Sequence, residues 1–367
     1  MKTVKIGFVG CGAISSIYLE NISKMFKEIE IIGVCDLIRS RAEWAVENYN
    51  IPKLYNDMYE LFADPEVDIV LNITRPYEHF DVTMAALNAG KHVYSEKPLG
   101  ATLDEGKKIV ALAEEKGLFV GGAPDTFMGA GIQTCRRLID DGYVGDILGG
   151  SAQLICHGHE TWHPDPEFYY KHGGGPLFDM GPYYITALVN LIGRVDSVYA
   201  MTMKGFDKRV ITSQPHYGEV IDVDVDTHIV GTLRFESGAI VNLVTTFDVY
   251  ARRDSIELYG TKGTLYVPDP NFFGGPVKLF RPEDGEIREL PLMYNYNGNS
   301  RALGLADMAK AITDGRPFRA CSEQTFHVLE VMEALLKSGK ERREVKIESP
   351  FERKAPMKTA EVPGVLD

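Results

Sequence analysis

Gly10-Cys11-Gly12-Ala13-Ile14-Ser15 is the stretch on which the fold of this 367-residue chain turns. The apolar run 4–9 before it predicts a buried strand, and Ile14, Ile17, Tyr18, Ile22 and Met25 after it recur at helical spacing. Gly10 permits a tight turn, Gly12 lets the backbone approach a pyrophosphate, and Ser15 is the third small residue, where helix meets strand. The helix start, with Ala13 and Ile14, offers free N–H groups and partial positive charge to phosphates. A second apolar run, 29–35, ends at Asp36, about 20 residues beyond the helix start. A carboxylate there accepts hydrogen bonds from both hydroxyls of an adenosine ribose and repels a 2′-phosphate. The pattern predicts dinucleotide binding with NAD favoured; Arg39 and Arg41 stand close enough to tolerate a 2′-phosphate, which leaves NADP open.

Outward from this turn, strand and helix alternate. Helices are predicted over 39–49, 57–62, 81–89 and 103–115, and strands over 67–73, over 92–95 and from 118. Strands regularly separated by helices imply a doubly wound parallel sheet of the Rossmann type over residues 1–123. After Pro124 the texture changes. A helix over 133–140 and a strand over 148–156 lead to a Gly- and aromatic-rich stretch, 157–181, and a helix that continues to about residue 191. Strands follow over 195–204, 220–235, 239–247, 255–259 and 264–267, with Glu236-Ser237-Gly238 and Thr261-Lys262-Gly263 as hairpin turns. Helices over 302–313 and 323–337 complete an α+β domain, 124–340, built on a mostly antiparallel open sheet. The charged, Pro-containing segment 341–367 reads as a surface tail.

Composition narrows the partners. Hydrophobic residues make up 44% and charged residues 25%, as in an ordinary globular protein. The net charge of −13, without a segregated basic patch, argues against nucleic acid and anionic membranes. The five cysteines form no CxxC pair, which points to a reducing compartment, the cytoplasm. Lys2, Lys5 and Cys11 are too closely spaced for a lipoprotein signal, and no apolar run approaches the ~20 residues of a membrane span.

Two further loops should fall at carboxyl ends of parallel strands, the edge along which a dinucleotide lies. One carries Thr74, Pro76 and His79; the other is Glu96-Lys97-Pro98. A Lys beside a bound cofactor acts as proton donor or acceptor when burial and neighbouring charge lower its pKa. In the segment 157–163, His157 and His159 point the same way if the strand continues through them. With Glu160 they could bind zinc. The alternative is a polar wall of His157, His159 and His163 for sugar hydroxyls, with Trp162 stacking on a ring. Hydride transfer to NAD needs no metal, which favours the wall. Asp222, Asp224 and Asp226 alternate with valines and read as the solvated face of a strand.

The run Gly90-Lys91-His92-Val93-Tyr94-Ser95-Glu96-Lys97-Pro98-Leu99 resembles the signature of the Gfo/Idh/MocA oxidoreductases. So do the glycine turn with Asp36, and Gly173-Gly174-Gly175-Pro176-Leu177-Phe178-Asp179-Met180-Gly181-Pro182-Tyr183-Tyr184-Ile185. The similarity runs from Val4 to about Lys337. It implies oxidation or reduction of sugars and cyclic polyols with NAD or NADP. Lys97 would reach toward the carbinol and the nicotinamide, and Asp179 would hold the substrate. Many members carry His four residues after that Asp; this chain has Tyr183. The proton acceptor is therefore Lys97, Tyr183 or a histidine of another segment. Asp179 and Tyr183 share a face if they share a helix; alternatively Pro182 starts the regular helix and leaves Asp179 in a turn. The resemblance also implies pairing of the second sheets into a homodimer or homotetramer. Two other functions fit the same features: a glycosidase-type enzyme that keeps and recycles bound NAD, and a non-enzymatic NAD-binding redox sensor.

Overall fold

A computed structural model describes residues 3–359 and residue 366. The chain forms two compact units. One takes in Met1–Ala130, Met293–Phe326 and Lys354–Asp367, the other Gly131–Leu292 and His327–Arg353. Both are discontinuous in sequence, because the chain returns to the first unit at Met293, re-enters the second at His327 and goes back to the first at Lys354. The expected division into consecutive segments, 1–123 and 124–340, misses this return.

In the first unit the elements alternate as β1 (Val4–Val9), α1 (Ser15–Lys24), β2 (Ile29–Cys35), α2 (Arg39–Tyr49), β3 (Lys53–Leu54), α3 (Met58–Ala63), β4 (Ile69–Asn72), α4 (His79–Asn88), β5 (His92–Ser95), α5 (Leu103–Lys116) and β6 (Val120–Gly122). The six strands are all parallel, in the order β3-β2-β1-β4-β5-β6. Ile6, Phe8, Val34, Ile69, Leu71 and Val93 are sealed in its core, each such side chain worth about 1.5–3 kcal/mol of burial. Helix ends follow local chemistry. Asp57 caps α3 through Glu60 N–H at 2.8 Å. Thr102 caps α5, which stops at Gly117.

The helix α6 (Ala130–Asp140) leads into the second unit, whose strand β7 (Ile147–Ile155) precedes the long helix α7 (Gly175–Leu191). β8 (Val195–Met203), β9 (Lys208–Val210), β10 (Val220–Asp222), β11 (His228–Phe235), β12 (Ile240–Thr246), β13 (Arg253–Gly260), β14 (Thr264–Val267), β15 (Val277–Phe280) and β16 (Ile287–Leu290) follow. The helices α8 (Leu303–Asp314) and α9 (Ser322–Glu341) precede β17 (Val345–Lys346). Nine strands form one sheet, β16-β15-β14-β13-β7-β12-β11-β8-β17, antiparallel except for β12 against β7. Both predicted hairpin turns join antiparallel neighbours.

Three expectations need correction. The strand expected over 220–235 is two: β10 pairs with β9 in a separate ribbon, and only β11 joins the large sheet. Asp224 and Asp226 therefore lie outside any strand. Val223 N–H donates to Asp207 O and Asp224 N–H to Tyr170 O, so the chain leaves strand geometry to wrap the segment before α7. The stretch from residue 341 is not all surface tail, because Val345 and Lys346 pair with β8 and Phe351 and Met357 are buried. Pro182 lies inside α7, and Pro176 occupies its first turn. Among the described residues no helix is long and apolar enough to cross a membrane.

Candidate active site

The carboxyl edge of the parallel sheet gathers the glycine turn, Asp36, and the loops of Thr74 and Lys97. Gly10 has φ +96°, and a Cβ there would lie 2.6 Å from the Ile73 carbonyl oxygen. Only glycine meets both conditions. A Cβ on Gly12 would meet nothing within 4 Å, so the backbone there borders open space at the start of α1. That space, the helix N-terminus and the partly exposed Asp36 suit a dinucleotide. NAD bound there supplies the hydride acceptor, nicotinamide C4.

Asp36 also has a structural role. Its Oδ2 accepts from Cys11 N–H at 2.5 Å and its Oδ1 from Ile38 N–H at 2.7 Å. Each oxygen keeps a second lone pair for a ribose hydroxyl. Ala13 and Ile14 are exposed beside the turn. Arg39 turns toward Glu43 (2.9 Å) and Asn56 (3.1 Å).

The other two loops are held from beneath. Asn72, at the end of β4, accepts from the Thr74 hydroxyl at 2.7 Å and donates to His79 O at 3.1 Å. His79, expected at the cofactor, is buried: Nδ1 lies 2.8 Å from Pro98 O and Nε2 3.0 Å from Thr74 O. Burial holds its pKa below the ordinary imidazole value. It ties one loop to the other. Glu96 is buried as well, accepting from the Tyr18 hydroxyl at 2.6 Å and from Lys97 N–H at 3.0 Å. Both therefore shape the edge, while Thr74, Pro76 and Lys97 stay partly exposed. Tyr18 and Asn72 were missed in the sequence, where nothing separates them from core and strand-end residues.

In the second unit, α7 carries Asp179 and Tyr183 on one helix, at i and i+4. Every α7 residue is buried except Asp179 and Met180. The segment before it does not continue β7. Gly158, at φ +83°, reverses the backbone, so His157 and His159 diverge instead of sharing a face. His157 stacks on Tyr250, centroids 3.9 Å apart. His159 Nε2 lies 2.8 Å from Asp179 Oδ2. His163 Nδ1 accepts from Asp165 N–H at 3.0 Å, and the exposed Trp162 sets its edge against both His159 and His163.

Glu160, the carboxylate of the zinc alternative, is taken up by an arginine and a phenol. Its Oε1 accepts from Arg209 Nη1 at 2.9 Å and its Oε2 from the Tyr170 hydroxyl. Arg209 is buried, donates also to Asp248 at 2.5 Å, and lies over the Phe206 ring at 4.5 Å. This ion-paired brace fastens the segment that carries His159. No local pattern signals this brace, since the partners are 39 and 49 residues from Arg209. Among the described residues no cluster of three or more His, Cys, Asp or Glu could hold a metal ion.

These features define an NAD-binding oxidoreductase, and the comparisons agree. Residues 4–122 match the model of the oxidoreductase family with an NAD-binding Rossmann fold, GFO/IDH/MocA, and residues 132–266 match the GFO/IDH/MocA C-terminal domain. The chain belongs to this family. It is 24% identical over 366 residues to the scyllo-inositol 2-dehydrogenase (NADP(+)) of Bacillus subtilis, covering 95% of this chain and 97% of that one. It is 25% identical over 349 residues to the myo-inositol 2-dehydrogenase of Thermotoga maritima, covering 94% and 99%. Its fold matches that of levoglucosan dehydrogenase in complex with NADH and L-sorbose, with a TM-score of 0.82, 20% identity, and coverage of 95% and 100%.

Proposed function

We propose that this protein is an NAD(P)-dependent dehydrogenase of a sugar or cyclic polyol, moving a hydride between a ring carbinol and nicotinamide. The observation that carries this reading is the wall formed by His159, Trp162, His163 and Asp179, from which His157 is turned aside onto Tyr250. Its imidazoles, carboxylate and exposed indole offer hydrogen bonds and a stacking face to a polyhydroxylated ring. The inositol dehydrogenases among its relatives and the sorbose complex of its structural neighbour support the substrate class.

In this reading Gly10, Gly12, Ala13, Ile14, Asp36 and the Thr74 and Lys97 loops hold the cofactor. The Lys97 ammonium donates to the reacting oxygen, Asp179 orders the polar wall, and Tyr183 hydrogen-bonds the substrate. The experiment is a screen of sugars and inositols for NADH or NADPH production. Oxidation of at least one supports the reading; substrate turnover without reduced cofactor contradicts it.

The assembly we propose is a homodimer or homotetramer. Tyr199, Met201, Met203, Val230 and Ile240 expose apolar surface on the large sheet, and Met201 stands directly across from Val230. A monomer mass by light scattering at micromolar concentration contradicts it. The five cysteines are free, which suits the cytoplasm.

A further inference from the structure

Resting on the dehydrogenase reading, we propose that His159 Nδ1 takes the proton of the substrate hydroxyl and that Asp179 orients His159 for it. A carboxylate only accepts, so the 2.8 Å contact between Nε2 and Asp179 Oδ2 places the hydrogen of the neutral ring on Nε2. The lone pair then resides on Nδ1.

That nitrogen is available. Among the described residues it has no hydrogen-bond partner, and it is not one of the sealed polar atoms, as His157 Nδ1 is. The His159 and Asp179 side chains retain 13% and 11% of their exposure. The ring is also held. Tyr169, Phe247 and Trp162 present edge-to-face contacts at centroid distances of 4.3, 4.7 and 5.2 Å. The backbone that carries it is pinned by the Arg209–Glu160 pair one residue on. A base fixed in one tautomer by a carboxylate, with its other nitrogen free, is the arrangement of a general base whose imidazolium the carboxylate stabilises.

The step balances. The hydroxyl proton passes to Nδ1, the carbinol C–H pair leaves as hydride to nicotinamide C4, and the carbon–oxygen double bond forms. The imidazolium then returns its proton to water. Among the described residues, the titratable groups that meet His159 are Asp179 on α7, and His163 and Tyr169 in its own segment; the other rings against it, Phe247 and Trp162, are uncharged.

Three measurements on the full chain test this. NMR of nitrogen-labelled histidine reads the tautomer without turnover: Nε2–H is expected, and Nδ1–H overturns the proposal. His159→Ala should lower kcat by ~100-fold, leave NAD affinity unchanged, erase the acid limb of the kcat/KM profile, and regain turnover with added imidazole. An acid limb retained in place, or no imidazole rescue in a variant that still binds NAD, overturns it. Should the alanine variant not fold, Asp179→Asn reads the same dyad, with kcat lost and the tautomer preference released; an unchanged kcat there overturns the proposal. A native enzyme that oxidises no sugar or polyol would instead fail the dehydrogenase reading, with the tautomer result unaffected.

Discussion

The Cys11 amide donates to the Asp36 carboxylate at 2.5 Å, so the residue we propose to choose the cofactor also holds the glycine turn. Two consequences follow for cofactor preference. NAD should bind more tightly than NADP, because a carboxylate beside a 2′-phosphate costs electrostatic energy. Asp36→Ala should weaken NAD without tightening NADP beyond the native value, since the turn loses its anchor. Fluorescence titration of both cofactors checks this; NADP binding equal to or tighter than NAD by the native protein contradicts it.

Gly10 and Gly12 should fail differently. Gly10→Ala forces a positive φ on an L-residue and drives its Cβ against Ile73 O, so it should lower the Tm as well as NAD affinity. Gly12→Ala meets no protein atom within 4 Å, so it should leave the Tm unchanged and still weaken NAD by filling the space of the phosphates. Thermal melts with and without NAD separate the two.

Lys97→Ala should reduce turnover by at least ~100-fold, the size of an acid/base or charge-stabilising contribution, with little change in NAD affinity. Tyr183→Phe should mainly raise KM through a lost substrate hydrogen bond. Steady-state kinetics distinguishes them: a Tyr183→Phe loss in kcat equal to that of Lys97→Ala would place the phenol in the proton transfer.

Asp125 predicts a pH dependence of stability. It is buried, and burial above all raises its carboxyl to about 6, against the pull of Gly304 N–H at 3.0 Å. The unfolded value is ~3.9, so between roughly 4 and 6 the folded state holds the proton more firmly. Stability from this group is thus present below that window and lost as pH rises through it. Asp125→Asn stays neutral and keeps an acceptor for Gly304. Urea unfolding at a series of pH values should show its slope flattened there, with a gain on the order of 2 kcal/mol over the native protein at pH 7.

How far the sequence could be read follows from the range of each signal. The cofactor half is written locally: strand, glycines, helix and Asp36 lie within three dozen residues. Thr102 and Gly117 likewise mark the ends of α5 by neighbouring chemistry. The substrate half depends on partners far along the chain. His159 meets Asp179 only because Gly158 turns the backbone, and no periodicity reports that turn. The alternation Asp222-Val223-Asp224-Val225-Asp226 imitates a strand, yet Ile221 and Val223 bury themselves around Tyr170 and Phe247 in a small core of their own. Val345 pairs with Val198, a match between segments nearly 150 residues apart. His79 and Glu96 lie in the right loops, but their burial, which makes them supports, is a property of the folded edge.

Hydride transfer from a carbinol carbon to nicotinamide is tested most directly with label. A sugar or inositol accepted in the screen, deuterated at the reacting carbon, should place its deuterium on C4 of the reduced nicotinamide and show a primary isotope effect on single-turnover reduction. Product formed with no label in the cofactor and no reduced nicotinamide accumulating would contradict the account.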